Sequence, residues 1–128
     1  MITKIAAIFL ILHGLIHLIG FLVPWGIMKI DSFKYTTTIL AGKVDLGPTG
    51  IRIIGLLWVV GAIGFVIAGI GLWLVTPWWF TCLVGVTLYS LVLCIMGWPE
   101  SQYGAYINLI ILGVLLFGER FGLSFPSR

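Results

Sequence analysis

Residues 5–23 read IAAIFLILHGLIHLIGFLV, nineteen positions with no Asp, Glu, Lys or Arg among them. At 1.5 Å rise per residue, about 20 apolar residues cross the ~30 Å hydrocarbon core of a bilayer. The run is long enough for one helical pass. It is also longer than the apolar centre of a secretory signal, which takes about 7–15 residues. Pro24-Trp25-Gly26 follows it, with no small-x-small cleavage site. The stretch reads as a retained transmembrane helix.

The remainder of the chain has the same character. Of 128 residues 61% are hydrophobic and 9% charged, against about 45–50% and about 25% in a soluble domain. Seven Lys/Arg and four Asp/Glu cannot clothe a globule of this length, and disorder requires the opposite composition. The net charge of +3 is scattered, without the basic run that nucleic acid or a polybasic lipid patch demands. The expected surroundings are membrane lipid, with no nucleic-acid partner. Further spans are expected at 52–74, 80–98 and 103–118, joined by Thr76-Pro77-Trp78-Trp79 and by Pro99-Glu100-Ser101-Gln102. Pro99 stops the helix before it. No repeat divides the chain, so residues 1–128 are read as one domain. The fold class is all-α: a polytopic four-helix transmembrane bundle with one structured extramembrane loop.

That loop, residues 25–50, is long for a compact protein and so is read as functional or as an interfacial cap. Tyr35-Thr36-Thr37-Thr38-Ile39-Leu40 favours a short strand or hairpin. Asp45-Leu46-Gly47-Pro48-Thr49-Gly50 reads as a turn, with Pro48 suited to the first turn of the next helix. With one Ser, and with Tyr35, Ile39, Leu40, Val44 and Leu46, this is not linker composition. Order is expected throughout. Trp25 and Trp98 fall at one membrane face and Trp73, Trp78 and Trp79 at the other, as an aromatic belt would place them. Lys4, Arg120 and Arg128 on the terminus side oppose Lys29, Lys34, Lys43 and Arg52 on the loop side. Three against four sets no orientation.

His13 and His17 are the first chemical candidates. Four residues apart on a helix, they differ by about 40° around its axis and share a face. Ionisable groups inside a span face the bundle interior and mark functional positions; the structural alternative is a pair of neutral imidazoles bonded across helices. As metal ligands they are weak candidates. One helix face cannot clasp a haem iron from both sides, so haem would need a homodimer. Zinc would need a third ligand from Cys94, Glu100 or Asp45. The spacing lacks the Glu of a zinc-protease helix, and no cofactor is assigned. Cys82 and Cys94 stand about 18 Å apart along one helix, too far to bridge, and read as inert buried thiols.

Arg52, Glu100, Lys43 and Asp45 gather at the face the loop covers. They suit either an ion pair holding the loop down or a charged cap over a cavity that takes an anionic headgroup or substrate. Gly61, Gly64, Ala68 and Gly71 step by 3, 4 and 3 as a close-packing stripe. Thr87, Ser90 and Cys94 step by 3 and 4 on the third span. Asn108 is the only amide well inside a span. Counted inward from the loop side, His17 and Asn108 lie about 9 Å deep and Ser90 about 12 Å, with Trp58 at similar depth. A polar pocket is therefore expected, lined by His17, Ser90, Cys94 and Asn108, floored by His13, and capped by Asp45, Arg52 and Glu100. The alternative is that these groups bond pairwise in a dry core.

His13-Gly14-Leu15-Ile16-His17-Leu18-Ile19-Gly20-Phe21, Thr38 to Gly47, Gly50-Ile51-Arg52, Cys94 to Glu100 and Ile107-Asn108-Leu109 together resemble a group of small bacterial four-helix membrane proteins. The likeness spans nearly the whole chain and implies a bacterial plasma membrane, but no activity. In outline the chain also looks like DoxX-type four-helix proteins, which are associated with oxidoreductase assemblies; no motif is shared.

No Walker loop, dinucleotide fingerprint, nucleophile elbow or intramembrane carboxylate pair is present, which weighs against an enzyme. Three classes stay open. One is a non-enzymatic accessory subunit, or a binder of lipid or a small ligand, working alone, as a homo-oligomer or in a larger membrane complex. The second is a small oligomeric transporter or channel. The third is a redox subunit that binds haem or metal.

Overall fold

The computed structural model describes residues 1–127; Arg128, counted above among the terminus-side cations, lies outside them. In chain order the elements are α1 (Ile2–Ile16), α2 (Ile19–Leu22), strands β1 (Thr38–Ile39) and β2 (Val44–Asp45), α3 (Gly47–Trp73), α4 (Trp79–Met96) and α5 (Gln102–Phe117). A 3₁₀ turn, Gly118–Phe121, follows. Four helical stretches are long and apolar enough to cross a membrane: Ile2–Leu22, Gly47–Trp73, Trp79–Met96 and Gln102–Phe121.

The central helix is α3, which packs against α1 and α2 on one flank and α4 on the other, while α5 packs on α4. Glycine makes the first contact close. A Cβ at Gly14 of α1 would sit 2.8 Å from Phe65 Cβ and 2.9 Å from the Ala62 carbonyl oxygen, so only a residue without one lets these backbones meet. The expected stripe on α3 is shared between neighbours: a Cβ at Gly64 would meet Val86 of α4, one at Gly61 would meet His17 at 3.3 Å and Tyr89 of α4 at 3.5 Å, and one at Gly71 would meet Trp78. Outward positions such as Ile53, Leu56, Val60, Ile63 and Ile67 are exposed. A helix apolar on every face is what a lipid-facing bundle requires.

The helix boundaries differ from the sequence expectation at several ends. Helix α3 starts at Gly47 rather than 52, because Pro48 occupies its first turn and the Asp45 carboxylate accepts the Gly47 N–H at 2.9 Å. Arg52 is therefore in the second turn. Helix α4 closes at Met96, two residues short, at a link with a cis Trp98–Pro99 bond. The first span is broken at His17 and Leu18.

The loop is built as a hairpin. Strands β1 and β2 pair antiparallel, Thr38 opposite Asp45 and Ile39 opposite Val44. Its tip has three consecutive left-handed residues, Leu40 (φ 54°), Ala41 (57°) and Gly42 (82°). For Leu and Ala that conformation costs roughly 1–2 kcal/mol each. It turns their N–H groups onto the end of α4: Leu40 donates to the Met96 carbonyl at 2.8 Å and Ala41 to that of Trp98 at 3.0 Å. Carbonyls at a helix end lack intrahelical partners, and the loop supplies them.

Two apolar clusters make the interior. One, toward the chain termini, contains Ala7, Leu10, Phe65, Ala68, Leu72, Trp79, Leu83, Ile111 and Leu115. The other, toward the loop, contains Trp58, Leu93, Cys94 and Ala105. Trp79 corrects the belt assignment: it is 1% exposed, and its indole N–H donates to the Ser127 carbonyl at 3.2 Å. The C-terminal segment folds back over the start of α4 and covers it.

Candidate functional site

Between the two apolar clusters lies a polar layer, set by the order of residues along each helix. On α4, Thr87 and Ser90 separate Leu83 from Leu93; on α5, Asn108 separates Ala105 from Ile111; on the first span His13 and His17 come after Leu10. All of these polar side chains are buried, Ser90 and Asn108 completely.

The layer begins with a defect in the first span. An uninterrupted helix would give the His13 carbonyl to the N–H of His17. Here that N–H turns to Gly14 at 3.0 Å, and Leu18, Gly20 and Phe21 make the same three-residue bonds to Leu15, His17 and Leu18. This is 3₁₀ geometry. The freed His13 carbonyl accepts from the His17 Nδ1–H instead, at 2.8 Å. A carbonyl only accepts, so Nδ1 carries the proton, and in the neutral ring Nε2 is an acceptor. The Ser90 hydroxyl donates to it across 2.5 Å. Ser90 Oγ in turn accepts from Asn108 Nδ2 at 2.7 Å. Asn108 Oδ1 accepts from His13 Nε2–H at 3.2 Å. The four bonds close a directed ring joining α1, α4 and α5, with the two imidazoles held as opposite tautomers. Asn108 also reaches Cys94 Sγ at 3.6 Å.

Aromatic rings wall the circuit in. Phe65 meets His13 and His17 at centroid distances of 4.7 and 5.0 Å. Trp58 lies 5.3 Å from His17. The structure thus brings His13, His17, Ser90, Cys94 and Asn108 together in one layer, where they bond to one another; none of the five lines the cavities found at either end of the bundle. Among the described residues every fully buried side-chain nitrogen or oxygen has a partner. Thr87 is buried too, bonded within its own helix to Leu83 at 2.6 Å. Cys82, expected to be buried, is only half so.

The cavity lies one layer up, under the loop. It measures about 380 Å³ and runs between the hairpin and the helix ends. Ile51, Ile54 and Trp58 supply apolar lining, and Lys34, Tyr35, Thr36 and Glu100 supply polar lining. Trp58 belongs both to this wall and to the ring contact with His17. A second hollow of about 340 Å³, almost wholly apolar, opens between α1 and α5 at the terminus end.

The expected charged cap is divided. Glu100, half-buried, lines the cavity. The Arg52 guanidinium lies over Trp25, 5.6 Å from its centroid, and the Trp25 indole N–H donates to the Arg52 carbonyl at 3.0 Å. Asp45 is occupied with the Gly47 N–H and the Thr37 hydroxyl, which hold its carboxyl below the usual value. What fastens the loop is main chain, through Leu40 and Ala41, rather than an ion pair among these three.

Three structural bonds carry no advance signal. The Tyr89 hydroxyl donates to Leu57 at 2.7 Å, tying α4 to α3. The Ser101 hydroxyl donates to Cys94 at 2.7 Å, tying the last link to α4. The loop-tip amides are invisible in side-chain patterns altogether. Among the described residues no three His, Cys, Asp or Glu are grouped to hold a metal. Comparison with protein-family models, with curated proteins and with solved structures returned no match for the chain.

Proposed function

We propose that the chain is a non-enzymatic protein of a cell membrane, the bacterial plasma membrane by its resemblance, that binds lipid or a small amphiphile beneath its loop. The carrying observation is the cavity between hairpin and helix ends, apolar at Ile51, Ile54 and Trp58 and polar at Lys34, Thr36 and Glu100. A concave site, mostly apolar with a few placed polar groups, is the usual form of a small-ligand site. Its position at the ends of the spans is where an amphiphile partitions. In this reading the bonded layer below, with Trp58 resting on His17, is a rigid base rather than a reaction centre. Assembly as a homo-oligomer or within a larger membrane complex is compatible with the exposed apolar faces of all four spans.

Native mass spectrometry of the gently solubilised chain tests this. Bound lipid or ligand is expected on the wild type and reduced on Ile54→Trp, which fills the cavity. A wild type that carries no adduct, or an adduct indifferent to Ile54→Trp, overturns the reading.

A further inference from the structure

The loop-side cavity has a chemical bias that a general apolar hollow would not have. Four aromatic residues, Phe33, Tyr35, Trp58 and Trp98, contribute to its lining together with a single carboxylate, Glu100. Glu100 is half-buried and, among the described residues, has no ion-pair partner. A carboxylate that faces a cavity attracts a cation into it. The one cation on the same cavity, Lys34, belongs to the loop rather than to the α4–α5 link, is exposed, and is not paired with Glu100. Opposite charges that share a cavity without neutralising each other match a ligand that carries both.

Resting on the binding reading above, we propose that this cavity takes the zwitterionic headgroup of an amphiphile. Its ammonium lies among the four aromatic residues beside Glu100, and its phosphate meets Lys34 at the rim. Aromatic rings attract ammonium groups through their negative faces, and clusters of them recognise quaternary ammonium. Glu100 adds direct charge attraction in a partly desolvated place, where it is screened less than at an open surface. The same carboxylate acts against a purely anionic headgroup, which brings a phosphate but no cation to answer it. The headgroup chemistry is the same whether it arrives on a membrane phospholipid or as a free phosphocholine or phosphoethanolamine.

The test uses the full chain in nanodiscs made of equal parts phosphatidylethanolamine, phosphatidylcholine and phosphatidylglycerol, released and weighed by native mass spectrometry. The wild type is expected to retain one or both zwitterionic lipids about fivefold over phosphatidylglycerol. Glu100→Gln is expected to erase that preference, and Lys34→Gln to lower total retention. Added phosphocholine and phosphoethanolamine separate the sources. Displacement of the retained lipid assigns the site to the headgroup alone, and persistence assigns it to the intact lipid; both uphold the ammonium chemistry. Equal retention of the three lipids by the wild type overturns the proposal while leaving the binding reading in place, and it needs no variant to fold. An unchanged preference in a folded Glu100→Gln chain also overturns it. If neither lipid nor free headgroup is retained, the binding reading fails as well.

Discussion

The imidazole of His17 holds the main-chain carbonyl of His13 at 2.8 Å, the partner that its own amide would hold in an unbroken helix. His17 therefore sits at the break in the first span and repairs its hydrogen-bonding loss. Leu at this position should restore the α-helical bond yet leave the Ser90 hydroxyl without its acceptor. An unmet buried polar group costs roughly 1–3 kcal/mol. His17→Leu is expected to gain amide protection at residues 17–18 in hydrogen exchange while losing about that much stability in detergent. Gain of both would contradict the ring.

His13 and Ser90 share no bond, but Asn108 bonds to each. Removing one should change what removing the other costs. A double-mutant cycle with His13→Ala and Ser90→Ala is expected to give a coupling of at least about 0.5 kcal/mol. Strict additivity would mean independent pairs.

Gly14 meets Phe65 and Ala62 at distances that exclude a side chain. Gly14→Val should push α1 away from α3, breaking the bonds of His13 and His17 across the bundle. A loss of about 1–3 kcal/mol or more is expected, read as a fall in midpoint temperature. An unshifted midpoint would show that α1 moves freely.

At the loop tip, Ala41 has a φ of 57°, so Ala41→Gly should be neutral or stabilising while Gly42→Val, at 82°, should loosen the hairpin. In membranes opened on both sides, proteolysis across 30–47 should stay slow in the wild type and in Ala41→Gly and accelerate in Gly42→Val. Rapid cleavage of the wild type throughout would refute an ordered loop.

The Asp45 carboxyl is held below its ordinary value of 3.8 by the Gly47 N–H and then by the Thr37 hydroxyl. A depressed folded value gives stability that is complete above the unfolded value and lost as pH falls through the folded one. The hairpin and the start of α3 should therefore hold from neutral pH to about 4 and loosen below it. A fall in the protection of the Gly47 amide, measured against its intrinsic exchange rate at each pH and absent in Asp45→Ala, would show this.

Span count and loop order were legible because burial in lipid writes itself as long uncharged runs and because Pro48, Pro99 and the edge tryptophans punctuate them. The common depth of His17, Ser90 and Asn108 was legible from residue counting alone, since rise per residue is fixed. Counting cannot say whether such groups face a cavity or each other. That depends on how closely helices approach, which Gly14 decides for α1, and on the 3₁₀ turn at His17 that aims its ring at α4. Trp79 misled because an edge position is also a helix start, and the returning Ser127 carbonyl that buries it lies 48 residues away. The grip of Leu40 and Ala41 on α4 runs through amides that every residue possesses.

The ring of bonds has a direction, and reversing one bond has a local consequence. For His17 Nε2 to donate to Ser90, while Nδ1 stays committed to a carbonyl, the imidazole must carry two protons and hence a positive charge. Ser90 Oγ has two acceptor sites, so it can take that bond and keep the one from Asn108, and neither the amide nor His13 has to turn. The hydroxyl hydrogen, displaced from Nε2, is then the group left to find an acceptor. Ser90 is the movable part of the circuit, and the rest of it can stay as it stands.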